Sequence, residues 1–599
     1  MSSVIRYFMW GYQPNFRINQ EFAAKKIFSL LDKGFDAKVF LVGVLAEDRT
    51  DRYPACVEPE NDFWVNSTEF DRTRELAEAI RATYKETRSF HSNALAQQWH
   101  DDMLTRRAIR DAIQQIVDGN AEKPNDLSWF VSYPSKVEGF FVSVVLGLQT
   151  DILEAHPSLK GNKVPIHEDR DMPVATSLIG AAITTYLEKA SGELRLPDPG
   201  IGSSSLNAEE TIRESANKFM MEIAFRTDQD RIEGWHGLLS ACNNIARAYY
   251  EKSAGVGTIV LAHRDHPAIQ RIIDFPRPTN LHVTRGSRKL LQLAAKDLSL
   301  HTDSEKIFGL IKVKSYDENR EDLFGINFLG HQHWEVTHGD QILMKVRYDQ
   351  PYLPMPPFDE DKLRIDIKRI FPKSKNKHAE LIVALVREAE KESHGTMLLI
   401  TEAARRESER FRMQGTPIRP KRLNPEILRN LTPIDGAVIL NPKGTCYAIG
   451  AILDGMATPA GDPGRGSRYN SAIRYIETST HPCMAIVISE DGGIDFIPNL
   501  RPPLKRSQID NAISTLRQVF SQELIDLRRY NQTMDWLVKH NFYLLPNDCT
   551  ELNDLSASIE NRVRSENPNA IRIVFGEFSP HPEMRPDLYY EEELQCHAG

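Results

Sequence analysis

Ile434-Asp435-Gly436-Ala437-Val438-Ile439-Leu440, then Gly464-Arg465-Gly466-Ser467-Arg468-Tyr469-Asn470-Ser471-Ala472, then Ile486-Val487-Ile488-Ser489-Glu490-Asp491: the reading of this chain turns on these three segments and their order. The first reads as an acid at the start of a short apolar strand. The second reads as a basic, glycine-rich entry to a helix over 467–477, and the third as a buried strand ending on acids. Around them, Leu381, Ile382, Leu385, Val386 and Ala389 share one helical face, and Met397–Ile400 and Cys446–Leu453 read as strands. A charged helix is expected over 402–413, and a further strand over 494–497. Strands and helices alternate, which predicts a mixed sheet flanked by helices.

The residue types in these segments suit a nucleotide and its metal. The first amides of a helix lack backbone partners and carry partial positive charge, so an entry at Gly466-Ser467 can receive phosphate. Ser467 either caps that helix or offers its hydroxyl to a phosphate oxygen. Arg465 and Arg468 are unexpected where the helix dipole disfavours cations, and an anion between them would resolve the conflict. The alternative is a plain serine cap with two solvated arginines. Asp435, beside two of the smallest residues, suits a hard cation shared with phosphates; the alternative is an aspartate ending a turn. Glu490 sits past the carboxyl end of a buried strand, where open α/β sheets place ligands, and is otherwise a turn residue.

Working outward, Tyr352-Leu-Pro-Met-Pro-Pro357 reads as the start of a proline-rich linker over 353–374. Ahead of it, residues 4–10 and 39–44 read as strands around a helix with Ala23, Ile27, Leu30 and Leu31 on one face. Helical patterns follow near 69–84, 104–117, 174–189, 207–225 and 233–251, and Phe140–Leu146 reads as a strand. Residues 1–253 are therefore expected to form an α/β region. Strands at 258–262, 307–313, 324–329, 334–336 and 341–346 predict a smaller α/β or β-rich module over 255–352. Residues 375–505 form the unit built around the three segments. Residues 506–599 form a mostly helical extension, with Ile509 through Leu527 in helical spacing and a last strand at 571–575.

The chain has 599 residues, a length that predicts roughly three or four domains. Its formal net charge of -9 argues against broad nucleic-acid or anionic-membrane binding. The six cysteines are scattered without CxxC spacing, which predicts reduced thiols rather than a disulfide framework or zinc site. No apolar run reaches the ~18 residues needed to span a bilayer, and Met1–Arg6 has no secretory pattern; the expected location is the cytoplasm.

Segment 394–500 resembles the diadenylate cyclase catalytic domain. The residues that carry the resemblance are His394-Gly395, Thr432-Pro433-Ile434-Asp435-Gly436-Ala437, Ala448-Ile-Gly-Ala-Ile-Leu453, Gly466-Ser467-Arg468 and Ser489-Glu490. An Asp-Gly-Ala triplet followed by a Gly-(Ser/Thr)-Arg helix start is characteristic of that family. The resemblance implies an enzyme that joins two ATP into cyclic di-3′,5′-AMP and releases pyrophosphate. It further implies Mg²⁺, Mn²⁺ or Co²⁺ as cofactor and two copies of the domain meeting face to face. Asp435 would position the metal and help activate the ribose 3′-hydroxyl. Gly436 and Ala437 would line the ribose and phosphates, Ser467 and Arg468 would hold the triphosphate, and Leu453 would lie by the adenine. Glu490 would contribute to the metal and phosphate region. Where the family has Arg-His-Arg, this chain has Arg468-Tyr469-Asn470; Arg465 and Asn470 are the candidates to compensate. A domain that senses nucleotide or cyclic dinucleotide without catalysis is the second reading.

By position, the region ahead of residue 375 is expected to be a sensor or regulator of cyclase pairing. His100-Asp101-Asp102 faintly resembles a metal phosphodiesterase site, but a surface helix is the better reading. His331 with His333, and His263 with His266, show no third ligand at metal spacing. Trp10, Trp64, Trp99, Trp235 and Trp334 read as core residues.

Overall fold

The computed structural model describes residues 8–589, except 48–51, 60–66, 89–91, 121–123, 125, 168–169, 229–235, 252, 295–296, 355–357, 391–394, 457, 459–465, 490–492, 502–503, 523–524, 567–574, 583 and 587–588. The chain is a multidomain α/β protein with two compact units, Met1–Pro356 and Pro357–Gly599.

In the first unit, Lys38–Leu45 pairs antiparallel with Ala55–Glu58 and with Phe140–Gln149. The latter strand also pairs with Leu127–Val131 and Ser135–Val137. The continuous apolar run Val39–Val44 is explained by burial on both faces. Val39 and Leu41 join one cluster with the helices Gln13–Leu31, Leu178–Glu193 and Ala208–Thr227. Phe40, Val42 and Val44 join another with Ala94–Gly119. Successive strand residues point to opposite faces, so each set serves a different layer.

An eight-stranded sheet follows, from Gln350–Tyr352 at one edge to Ile269–Asn280 at the other. The expected strands at 258–262, 307–313, 324–329 and 341–346 are all present within a residue or two. The edge strand Ile269–Asn280 was not anticipated. Pro276 and Pro278 mask it in the sequence, yet proline is tolerated at an edge because an edge strand leaves some amides unpaired. One apolar cluster runs from Met9 through Ile259, Phe324 and Trp334 to Leu353, so the two sequence-defined regions ahead of residue 353 share a core. The pair Arg226–Glu321, at 3.2 Å and nearly fully buried, ties them further. Glu321 also accepts the Gly161 amide at 2.9 Å, and Arg226 donates to the Ala175 carbonyl.

The second unit contains a six-stranded mixed sheet, ordered Thr416–Arg422, Thr445–Ala451, Ala437–Leu440, Thr396–Thr401, Cys483–Ile488 and Ile494–Ile497. Only Thr396–Thr401 and Ala437–Leu440 run parallel. Alternation again divides the strands: Leu398, Ile400, Val438 and Leu440 pack under Asn376–Glu390, while Met397, Leu399, Ala437 and Ile439 pack under Ser467–Thr478. Three helices beyond it, Arg506–Ser521, Leu527–Lys539 and Pro546–Glu566, have their own core around Leu516, Met534, Leu552 and Ile559.

Several expectations are corrected. The strand expected over 4–10 falls partly outside the described residues, and Phe8–Trp10 form no strand but lead into a helix. Leu30 is 54% exposed; the buried face of that helix uses Phe16, Ala24 and Phe28 instead. The linker expected over 353–374 contains the helix Glu360–Ile370, whose Leu363 and Ile367 are fully buried in the sheet's core. The prolines end at 357, and helical spacing resumes at once. The run Ile509–Leu527 is two helices rather than one. The strand expected at 571–575 lies outside the described residues except for Phe575, which is in no strand.

Candidate functional site

Asp435 precedes the strand Ala437–Leu440 on an exposed turn, its side chain 86% exposed. Gly436 then takes φ +104°, a conformation that favours glycine. A Cβ there would sit 2.6 Å from the Gly450 carbonyl carbon. The Asp-Gly-Ala segment therefore crosses the neighbouring strand with no room for a side chain. Gly450, at φ +63°, completes this close approach from the other strand.

The helix Ser467–Thr478 brings its start to the same place. Asp435 Oδ1 accepts a hydrogen bond from Arg468 Nη2 at 2.8 Å and one from the Gly436 amide at 3.0 Å. Residues 33 apart in sequence are thus joined by a charge-assisted bond. Arg468 is the more enclosed partner, and its Nε is buried with no hydrogen-bond partner among the described residues. A buried guanidinium nitrogen without an acceptor suits an anion arriving at this point.

Gly466, not Ser467, occupies the N-cap position; Ser467 is the first helical residue, and no side chain caps the helix. The capping role considered for Ser467 is thereby excluded, which leaves its hydroxyl at the exposed mouth of the helix. The first turn carries no acid to offset the dipole. Asn470 turns back onto its own helix, donating from Nδ2 to the Gly466 carbonyl at 3.3 Å. Tyr469 packs against the apolar cluster under the helix. Leu453 is buried at the end of the strand Thr445–Ala451, while Ile434, Ile452 and Met456 are exposed. Arg465 and Glu490 lie outside the described residues.

Sequence reasoning missed a brace behind this site. Arg410 donates to Asp454 at 2.6 Å and pairs with Glu407 at 2.8 Å, with its guanidinium 4.0 Å over the Phe411 ring. Burial, together with the nearby Glu407 carboxylate, pushes the Tyr475 hydroxyl well above its usual range. Only the Glu407–Arg410 helical spacing could have signalled this; Asp454 is 44 residues away from Arg410.

Among the described residues no group of three or more His, Cys, Asp or Glu side chains could hold a metal. Asp435 is the carboxylate that bonds Arg468 at the helix start. That set does not make a protein-only cage. It does fit a hard cation that keeps waters and takes further oxygens from substrate phosphates. Elsewhere, Asp101 pairs with Arg81 and Asp102 with Arg106, as expected of a surface helix. His331 stacks on Tyr249, and His266 pairs with Asp322. Trp10 and Trp334 are core residues, but Trp99 is 68% exposed. Trp64 and Trp235 lie outside the described residues.

A mixed sheet with an Asp-Gly-Ala strand start facing an arginine-bearing helix entry makes an α/β domain with a carboxylate beside an anion-ready helix start. Residues 384–499 match the DAC family model, described as DisA bacterial checkpoint controller nucleotide-binding. Residues 9–220 match the probable sensor domain DACNG and residues 236–340 the probable sensor domain DACNH. The chain is a DAC-domain protein with an N-terminal sensor region. Among solved structures it is similar to a double mutant of DacA from Staphylococcus aureus, with 18% identity over 20% of this chain and 83% of that one and a TM-score of 0.18. It is also similar to a hypothetical membrane spanning protein from Bacillus cereus, with 20% identity over 22% of this chain and 65% of that one and a TM-score of 0.19. No curated protein matches the chain. Among the described residues no helix is long and apolar enough to cross a membrane.

Proposed function

We propose that this chain is a diadenylate cyclase that condenses two ATP into cyclic di-3′,5′-AMP and releases two pyrophosphates. The observation that carries the reading is the Asp435–Arg468 pair, which joins the Asp-Gly-Ala turn to the helix entry at 2.8 Å. In each of two steps, a ribose 3′-oxygen bonds to the α-phosphorus of the other ATP, the bond from that phosphorus to pyrophosphate breaks, and the hydroxyl proton leaves. The protein's share is positioning and charge neutralisation.

Without nucleotide, Arg468 Nη2 bonds the Asp435 carboxylate while its Nε has no acceptor among the described residues. A triphosphate at the helix mouth would draw the Arg468 guanidinium onto its oxygens and release the Asp435 carboxylate. Asp435 then faces the 3′-hydroxyl, and a divalent cation would supply charge neutralisation on the phosphates. Gly436 and Ala437 leave the backbone bare for the ribose, the Ser467 hydroxyl and first-turn amides meet phosphate, and Leu453 gives the base an apolar wall. Arg465 and Glu490 are assigned to the same triphosphate region by resemblance. One domain holds one ATP, so the reaction needs a second copy face to face. The region ahead of the domain regulates that pairing. Buried cysteines outside any disulfide, at Cys56, Cys242, Cys446, Cys483 and Cys549, suit work in the cytoplasm.

One feature favours a second reading. Tyr469 packs against the sheet and Asn470 bonds its own helix, where the family has a histidine and an arginine. A domain that lost those cations would bind nucleotide and signal without turnover. Incubating the full chain with ATP and Mn²⁺, Mg²⁺ or Co²⁺ and analysing products by mass spectrometry decides between them. Cyclic di-AMP is the expected product; nucleotide binding with no cyclic product under any metal would establish the sensing module instead.

A further inference from the structure

Three segments of the second unit bring cations together at one place. Lys375 precedes the helix Asn376–Glu390, and Lys377 sits in its first turn. Arg422 ends the strand Thr416–Arg422, and Lys443 lies on the turn that joins Ala437–Leu440 to Thr445–Ala451. That turn is braced, because Asn441 Oδ1 accepts the Lys443 and Thr445 amides, both at 3.0 Å. Gly444, at φ +77°, presses the turn against the helix, where a Cβ would stand 2.6 Å from Leu381 Cδ2. The Leu423 amide donates to the Gly444 carbonyl at 3.0 Å, which fastens the end of the strand to the same turn.

This place is separate from the site proposed for ATP. Arg422 pairs with Thr445 at the end of the sheet where the strand Ala437–Leu440 finishes, whereas Asp435 precedes the start of that strand. The helix Asn376–Glu390 also covers the opposite face of the sheet from Ser467–Thr478. His378 shows how close the cations are. It is 8% exposed, and its Nδ1 is buried with no hydrogen-bond partner among the described residues. Burial first, and then the charges of Lys377, Arg422, Lys443 and Lys375, hold its proton affinity below the usual range. All four cations therefore lie within electrostatic reach of one small ring.

Nothing in the fold balances them. Among the described residues none of the four has a carboxylate partner, and the stretches 372–379, 416–424 and 441–445 contain no acid. Glu380, further along the helix, is already held by Arg364 at 2.8 Å. The first turn of the helix carries no acid either, and its dipole disfavours cations. An anion at this point would relieve both the mutual repulsion and the conflict with the dipole. The buried Nδ1 adds a group that can bond an anion's oxygen once protonated. Because all four cations act on one ring, the matching negative charge is concentrated within the reach of a few phosphates. No large apolar side chain of these stretches is exposed, so nothing here enters a bilayer. The net charge of -9 opposes a long nucleic-acid backbone.

We propose that Lys375, Lys377, His378, Arg422 and Lys443 form a second anion site, which takes a compact solute bearing two or more phosphates. The lysines and the arginine neutralise its charge, and the imidazole bonds one of its oxygens. The assignment is independent of whether the domain turns over ATP.

The test uses the full chain carrying Arg468→Ala, which removes the guanidinium assigned to ATP, in buffer without divalent metal. Inorganic tripolyphosphate, titrated by calorimetry, is expected to bind. Adding Lys375→Gln, Lys377→Gln and Lys443→Gln to that protein should weaken binding about tenfold or more. All three lysines are exposed, so the variant should fold, and relief of their repulsion should leave its melting temperature equal or higher. Orthophosphate should bind about tenfold more weakly than tripolyphosphate, having fewer oxygens to share among the cations. The proposal is overturned if tripolyphosphate does not bind at millimolar concentration, if the lysine variant binds it unchanged, or if orthophosphate matches it. It is equally overturned if duplex DNA or phosphatidylserine vesicles bind the Arg468→Ala chain more tightly than tripolyphosphate and lose that binding with the lysines.

Discussion

Asp435 and Arg468, to which the proposed chemistry is assigned, sit in different environments. The aspartate is 86% exposed on a turn and the arginine is 30% exposed over the sheet. Replacing Asp435 therefore removes chemistry without removing packing. Asp435→Asn keeps the size and the bond to the Gly436 amide but loses the charge that partners Arg468. Synthesis of cyclic di-AMP should fall by about 10²-fold or more, with the thermal unfolding curve unmoved. Product quantification alongside the melting curve checks both halves, and unchanged synthesis would remove Asp435 from its assigned role. Asp435, Gly436 and Arg468 were readable in the sequence because each depends on its immediate neighbours: an acid before an apolar run, a glycine beside it, a cation at a helix start. That Arg468 points at Asp435 was not readable, because nothing local couples residues 33 apart. Arg410 escaped notice for the same reason.

At the scale of elements, the sheets explain themselves by alternation, and the links between elements do not. Every buried strand that was anticipated is a short apolar run, since both faces are covered and polarity cannot alternate. The edge strand Ile269–Asn280 has mostly exposed residues and two prolines, so no periodicity announced it. The buried pair Arg226–Glu321 was equally silent in sequence. Burial depresses the affinity of the Arg226 guanidinium for its proton, with the Glu321 and Glu222 carboxylates opposing. Glu321→Ala would leave the buried Arg226 charge without its carboxylate, Nη1 without its acceptor and the Gly161 amide without its acceptor. Chemical denaturation of that variant should show a loss of about 3–5 kcal/mol in the unfolding of the N-terminal unit. A loss below roughly 1 kcal/mol, typical of exposed pairs, would mean that the pair is solvated and does not join the regions on either side of residue 254.

For the whole molecule, the contact pattern divides the chain at Pro356 and Pro357. The apolar clusters around Leu398, Leu399 and Leu516 draw all their residues from beyond that division. A fragment beginning at residue 357 should accordingly fold alone and unfold cooperatively. Circular dichroism on heating checks this; a broad, non-cooperative melt would show that the fragment depends on the preceding unit. If it also makes cyclic di-AMP, the rate relative to the full chain measures the regulation assigned to the first unit.

The sequence by itself determined the α/β class, most of the longer buried strands and helices though not Ala55–Glu58, Leu127–Val131 or Ser299–Thr302, and the residue types at the proposed nucleotide site. Each of these follows from periodicity or from neighbours within a few positions, where the chain's own geometry dictates what a side chain meets. Only the tertiary structure decided that the helix Glu360–Ile370 belongs to the second unit's core and that the regions on either side of residue 254 share one core. It alone placed Arg468 against Asp435 and Arg226 against Glu321. Those outcomes depend on which distant surfaces come together, and that choice is made by summed burial across whole elements rather than by any single stretch.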